Sequence, residues 1–341
     1  MTRKLDRRQF IAATGAVGLA GLAGCTGGNG GDGGEETTTE DTGGEETTTE
    51  SNGGNGGGGS SRISWHAGGT GGTYFPLSNE FKSVIEGATD LTVQVQSTGA
   101  SVENVGSLAR GDADFALIQN DVAFFAREGT GIEAFQGNAV ENLRGVATLY
   151  PETIHIVTLA DSGVETPSDL SGKTINTGDL GSGTQVNANQ ILDAIGVTDY
   201  NEQNTGFSQA SDQLKNGDID AAFVVGGWPV GAIEELAATE DVRIVPIDGD
   251  ARAAAEEAAP FYADDEIPAG TYGLENAVPT IAVKAMIATN AEQPDATVEA
   301  VSAAIFDNVD DLTIKTDFIS KDTAQEGMSI ELHPGAQAYF G

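Results

Sequence analysis

From residue 63 onward the apolar positions recur in two alternating rhythms. Ile63–Ala67 is a short apolar run that reads as a strand, and Phe75–Glu86 carries its apolar residues at helical spacing. Leu91–Gln96, LTVQVQ, alternates with period two and reads as a second strand. Ser101 then stands as the predicted N-cap of a helix with Val102, Val105, Leu108 and Ala109 on one face, followed by a strand at Phe115–Ile118. Strand and helix in strict alternation predict a parallel sheet covered by helices, an α/β fold. A long apolar stretch follows, Val146–Leu149 and Ile154–Leu159. The alternation then resumes with a strand at Lys173–Asn176, helices at Thr184–Ile195 and Ser208–Lys215, a strand at Ala221–Val225, a helix at Val230–Ala238 and a strand at Val242–Ile247. A β-rich segment, Thr280–Ala288, precedes expected helices at Ala296–Asp307 and Thr323–Met328.

The second half echoes the first. Leu108-Ala-Arg-Gly111-Asp112-Ala-Asp114-Phe-Ala116 shares the frame L-x-x-G-D-x-D-x-A with Leu214-Lys-Asn-Gly217-Asp218-Ile-Asp220-Ala-Ala222, 106 residues later. In each, a helix is expected to end at the glycine and a strand to begin after the second aspartate. Upstream, Gly69-Thr-Gly71-Gly72-Thr73 is mirrored by Gly178-Asp-Leu-Gly181-Ser-Gly183-Thr184. The chain therefore reads as two similar α/β lobes, each with a Gly-Thr turn feeding a helix.

The N-terminal pattern is of another kind. Arg7-Arg8 precedes a small-residue apolar stretch, Ile11–Ala23, too short to span a bilayer core of about 30 Å. It reads as a twin-arginine signal peptide, and Leu22-Ala23-Gly24-Cys25 as a lipobox whose Cys25, the one cysteine of the chain, takes the lipid. Residues 26–61 are Gly, Thr, Glu, Asp, Ser and Asn, with GGEETTTE occurring twice. Such a segment buries no apolar area and is expected to be a disordered acidic tether. The expected division is 1–25 signal peptide, 26–61 tether, 62–148 plus 276–341 lobe 1, and 149–275 lobe 2. The expected location is extracytoplasmic, on the outer face of the cytoplasmic membrane, reached by the twin-arginine route.

Charge narrows the partners. The whole chain carries −36, and removal of the basic signal leaves it near −39. Nucleic acid is excluded as a natural partner, because nothing offsets phosphate repulsion. Acidic residues spread along the whole chain fit a surface adapted to very salty water, where repulsion is screened within a few Å. No EF-hand-type calcium loop is present.

The chemistry of the folded part points to binding. The turn in WHAGGTGGTYFPLS lacks the Gly-Lys-Ser/Thr of a phosphate loop, and read as G-x-G-x-x-G it fails at Tyr74. His66, His155 and His333 stand far apart without metal-ligand spacing, and Gly181-Ser182-Gly183 is not a nucleophile elbow. Neither an enzyme, a metal site nor a cofactor is expected. Two Gly-Thr turns at helix starts offer free N–H groups and hydroxyls, and stacked glycines let another group approach the backbone closely. That both turns merely start helices stays open.

Seven stretches carry a resemblance from about Ile63 to the last residue: GTGGTYFPL, STGASVENVGSLARGDADFALIQNDVA, LYPETIHIV, GSGTQ, FVVGGWPVGAIEELA, IPAGTYG and ELHPGAQAYF. Their order resembles TAXI-type solute receptors of TRAP transporters, in a haloarchaeal-type lipoprotein. The resemblance implies a type II periplasmic-binding-protein fold, two α/β lobes with a ligand cleft between them. It also implies a monomer that delivers a small organic anion (glutamate, a related amino acid or a 2-oxoglutarate-like dicarboxylate) to a fused TRAP permease, without catalysis. By position it implies ligand contacts at Gly72, Thr73, Tyr74, Ser101, Gln119 and Asp121 in one lobe, and at Ser182, Gly183, Thr184, Trp228 and Tyr262 in the other. Asn120 and Asp179-Leu180 depart from the family pattern. No Arg or Lys lies in a candidate loop, so a carboxylate would be held by N–H groups, hydroxyls and helix termini. An ABC-importer receptor of the same fold, and a surface module that binds a protein partner, remain the alternatives.

Overall fold

A computed structural model describes residues 62–341. The signal peptide, Cys25 and the tether lie outside the described residues.

The elements run β1 (Arg62–His66), α1 (Tyr74–Ala88), β2 (Thr92–Gln96), α2 (Ser101–Arg110), β3 (Phe115–Gln119) and α3 (Asn120–Glu128), then a 17-residue strand, β4 (Leu143–Leu159). The second half follows as β5 (Thr174–Asn176), α4 (Gly183–Ala194), β6 (Asn201–Gln203), α5 (Phe207–Asn216), β7 (Ala221–Val225), α6 (Gly231–Ala237), β8 (Val242–Val245), α7 (Gly249–Ala258) and β9 (Ala263–Ile267). The chain closes with β10 (Val278–Asn290), α8 (Asp295–Phe306) and α9 (Pro334–Phe340).

β1 pairs in parallel with β2 and β3, and β5 in parallel with β6 and β7, as the alternation of elements predicts. The centre is different. β10 runs antiparallel to both β3 and β4, and β4 antiparallel to β7 and β8. The two apolar runs on either side of Pro151 are one strand. Residues 143–153 pair with β10 and residues 154–159 with β7 and β8, so β4 passes from the first lobe's sheet into the second's. Pro151 and Glu152 sit where the strand changes partners, beside an irregularity in β10 between Lys284 and Met286. A sheet tolerates a proline at such a place, because little of the ladder there needs its missing N–H.

Each lobe has its own core. In the first, the Trp65 ring stacks on Phe115 at 5.6 Å and meets Phe81 edge-on at 5.8 Å, with its indole N–H donating to the Ser78 hydroxyl. In the second, Ile156, Leu192 and Phe223 pack between β4, α4 and β7. Full burial of side chains of this size contributes about 1.5–3 kcal/mol each.

The internal repeat has a physical cause. Gly111 and Gly217 end α2 and α5 with nearly the same left-handed backbone, φ 75° and 74°. Three residues on, the Asp114 carboxylate accepts from the Ser64 N–H at 2.7 Å, and the Asp220 carboxylate accepts from the Thr174 N–H at 2.8 Å. Each aspartate thus ties the strand after the helix to the first strand of its own lobe. The registers match too, with Trp65 opposite Phe115 and Ile175 opposite Ala221.

The expected helix at Thr323–Met328 is a series of turns. The Ser320 hydroxyl accepts from the Thr323 N–H, Gly327 adopts φ 71°, and the Glu326 carbonyl accepts from Thr148 and Lys284. Local and tertiary hydrogen bonds take groups that a helix would need. Ser101 is the first residue of α2 and not its cap; Ala100, at φ 70° and ψ −141°, holds the cap position.

Candidate ligand-binding site

Helices that follow parallel strands begin at the strands' carboxyl ends, so their first turns gather at one edge of each lobe. Four of them meet at one cavity that is partly open to solvent. Thr73 and Tyr74 start α1, Ala100 and Ser101 start α2, Ser182 to Thr184 start α4, and Gly206 and Phe207 start α5. A first turn leaves N–H groups without intrahelical acceptors and places the positive end of the helix dipole there. No Lys or Arg lines the cavity.

The hydroxyls at these starts have distinct tasks. Ser182 caps α4, accepting from the Gln185 N–H at 3.1 Å. Thr73 does not cap α1; its hydroxyl donates across to the Gly227 carbonyl at 3.2 Å and so links the lobes. Ser101 accepts from the Gln119 N–H at 3.0 Å, and Asn104 donates to the carbonyls of Ala67 and Leu117, which fixes α2 against β1 and β3. In structural terms Thr73 corresponds to Ser182, since these residues precede α1 and α4. The sequence alignment of Thr73 with Thr184 is off by two positions.

The glycines admit the facing lobe. A Cβ on Gly71 would lie 2.5 Å from the Ser208 hydroxyl, and one on Gly72 would lie 3.3 Å from the Phe207 ring. A Cβ on Gly183 would run into the Gln119 amide and come within 2.9 Å of the Ser101 hydroxyl. The close approach expected of a ligand at these residues is made here by side chains of the opposite lobe.

The cavity also contains a carboxyl that the sequence reading did not single out. Glu152, on β4 at the crossing between the sheets, is 3% exposed and lines the cavity. Gln119 Nε2 donates to its Oε2 at 3.4 Å. Burial pushes its pKa up to about 7, against the neighbouring Tyr150, Gln119 and Tyr74 side chains, which favour the ionised form. The hydroxyls of Tyr74 and Tyr150, and the Gln119 Oε1 atom, are buried without a hydrogen-bond partner. Burial and the nearby Glu152 hold both phenols well above their usual range, as neutral groups. A lone acid inside the apolar run 146–159 is the signal that could have found Glu152.

Of the predicted contacts, Gly72, Thr73, Tyr74, Ser101, Gln119, Ser182, Gly183 and Thr184 line the cavity; Asp121, Trp228 and Tyr262 do not. Asp121 is buried beside it. Its Oδ2 accepts from Asn187 Nδ2 at 2.8 Å, and burial pushes its pKa up to about 6. The same Asn187 amide donates to the Tyr262 hydroxyl, which in turn donates to Gln190. These residues join α3 to α4 and support the cavity from outside. Trp228 offers its carbonyl and ring to Lys315, whose ammonium lies 5.4 Å from the Trp228 ring centre and 6.0 Å from that of Tyr150. Burial lowers the Lys315 pKa to about 8. This cation, from the segment after α8, reaches the neighbourhood through tertiary folding alone. Asn120 clamps the C-terminal turns, donating to the Gly327 carbonyl and accepting from the Ser329 N–H, while Leu180 is exposed and Asp179 lines the cavity.

Among the described residues no cluster of three or more His, Cys, Asp or Glu could hold a metal, and no helix is long and apolar enough to cross a membrane. His155 is enclosed by the carbonyls of Thr153 and Val224 and the Tyr272 hydroxyl, and burial lowers its pKa to about 4.

Two α/β lobes joined by a shared strand, with a cavity lined by helix starts from both, define the class: a two-lobe fold of the periplasmic solute-binding type. The chain belongs to the NMT1-like family, whose model matches residues 66–341. Among solved structures it is similar to a protein of Bordetella bronchiseptica RB50, at 16% identity over 73% of this chain and 71% of that one, with a TM-score of 0.50. It is also similar to a periplasmic transporter (12% identity, 72% and 82% covered, TM-score 0.48) and to a putative L-cystine ABC transporter of Listeria monocytogenes (13%, 78% and 99%, 0.47). At these identities the likeness concerns the fold. The last two are described as transporters.

Proposed function

We propose that the protein is an extracytoplasmic receptor that encloses a small organic solute with a carboxylate between its lobes and hands it to a membrane permease, without a catalytic step. The observation that carries this is the meeting of four helix starts on one cavity lined by no cation. Such a wall holds a carboxylate through oriented N–H dipoles, and fixed dipoles at short range suffer less from salt screening than exposed cations do. The seven ordered motifs support a TRAP permease of the fused type as the acceptor. An ABC importer is the competing acceptor, because the same fold serves both.

The N-terminal pattern supports export by the twin-arginine route and a lipid on Cys25, with residues 26–61 as tether; the internal repeat supports two lobes, expected as 62–148 plus 276–341 and 149–275, although β4 keeps residues 149–153 on the first lobe's sheet. The acidic surface supports work in high salt. The direct test is calorimetry and thermal shift in molar KCl with glutamate, glutamine, leucine, 2-oxoglutarate and succinate. A ligand at 100 times its Kd stabilises by about 2.7 kcal/mol, a rise in Tm of several degrees. No binding by any acid in the set refutes the reading. Co-expression with a fused TRAP permease or with an ABC permease then identifies the acceptor by uptake.

A further inference from the structure

We propose that Glu152 determines specificity in this cavity by accepting the ammonium group of an amino-acid ligand whose carboxylate lies at the helix starts. The inference rests on the reading of the cavity as a solute site and says which acids it takes. Glu152 stands on the strand that passes between the lobes, so a ligand enclosed by both meets it. A 2-oxo acid or a plain dicarboxylate would set oxygen lone pairs against this carboxylate. An ammonium group supplies three donors, and three acceptors line the cavity: Glu152 itself, the unpartnered Gln119 Oε1 and the unpartnered phenol oxygen of Tyr74. All three side chains are more than nine-tenths buried.

The other charged groups nearby leave this task to Glu152. Asp121 is engaged by Asn187 and does not line the cavity. Lys315 is held by the Trp228 carbonyl, with the Tyr150 ring beside it, and lies outside the lining. Asp179 lines the cavity near Gly206, and a Cβ on Gly206 would lie 3.1 Å from its Oδ2.

The test compares matched acids on the full chain at pH 8 in molar KCl: L-glutamate against 2-oxoglutarate, and L-leucine against 4-methyl-2-oxopentanoate. A site built around a donor rejects the analogue that lacks it, and the expected preference for the amino acid is on the order of 100-fold or more. Glu152→Gln should bring the ratio within about tenfold while its melting transition stays cooperative, and Glu152→Asp should keep part of the preference. Equal or tighter binding of the 2-oxo acid overturns the inference and leaves the solute-receptor reading standing; Glu152 then serves as a protonated donor to a carbonyl oxygen. An unchanged ratio in Glu152→Gln overturns it as well. If neither member of either pair binds, the solute reading fails and the inference falls with it.

Discussion

Gly183→Ala isolates closure of the lobes from the chemistry of the ligand. Gly183 opens α4, and its φ lies outside the left-handed region, so alanine fits the backbone there. In a helix interior the same change gains up to about 1 kcal/mol, and less at a first position. The added methyl meets the Gln119 amide and comes within 2.9 Å of the Ser101 hydroxyl, both on the opposite lobe. Gln119 is 2% exposed and Ser101 1%, so neither has free space to move into. Overpacking of this kind costs about 1–3 kcal/mol, and it falls on the closed arrangement alone. On the proposed function capture needs closure of the lobes, so the Kd should rise by a factor between about 5 and 150 at 1.4 kcal/mol per tenfold. Isothermal calorimetry in molar KCl reads the affinity, and far-UV dichroism checks that α4 is intact. A Kd within twofold of the parent, for any ligand that binds the parent, would show that Gln119 and Gly183 do not meet in the ligand complex.

Thr73→Ala removes the donor to the buried Gly227 carbonyl and should lower stability by about 1–3 kcal/mol, the cost of an orphaned buried acceptor, read as a fall in Tm. Asp114→Ala and Asp220→Ala should each cost about 1.5–3 kcal/mol in urea unfolding, because each carboxylate holds a strand N–H; Asp218→Ala, an exposed member of the same frame, should cost under about 0.5 kcal/mol. The raised pKa of Glu152 means that the native state binds a proton the unfolded chain has released, so its contribution to stability falls as pH rises from about 4.5 to about 7. Asp121 acts in the same direction, as does repulsion across the acidic surface, so the check is the difference in Tm between parent and Glu152→Gln from pH 5 to 8, which should widen in the variant's favour as pH rises. Cys25→Ala should release the protein from membranes or stall its processing, and unchanged fractionation would refute the lipid anchor.

Much of this molecule is set by forces that act within a few residues, and that much is readable along the chain. Apolar periodicity places most of the strands and helices of the two lobes to within a few residues, but it leaves unread α3, α7, α9 and the exposed strands β6 and β9, whose polar or short runs carry little periodic signal. The frame around Gly111 and Gly217 marks the repeat because a helix ending in left-handed glycine, followed three residues later by an aspartate, is a local device used twice. The Gly-Thr turns announce helix starts for the same reason, and most of the predicted contact residues stand at those starts. Other features depend on segments distant in sequence. No local pattern shows that β10 returns antiparallel between β3 and β4, or that residues 143–159 form one strand serving two sheets. Thr323–Met328 has helical spacing, yet side chains from β4 and β10 take its carbonyls. The glycines at 71, 72 and 183 are legible as close-approach positions, but only the fold supplies Ser208, Phe207 and Gln119 as what approaches. Glu152 and Lys315, 163 positions apart, become neighbours around Tyr150 through the same folding. Short-range sterics and hydrogen bonds write the elements into the sequence; the charge inside the cavity comes from strand crossing and lobe contact, which sum over the whole chain.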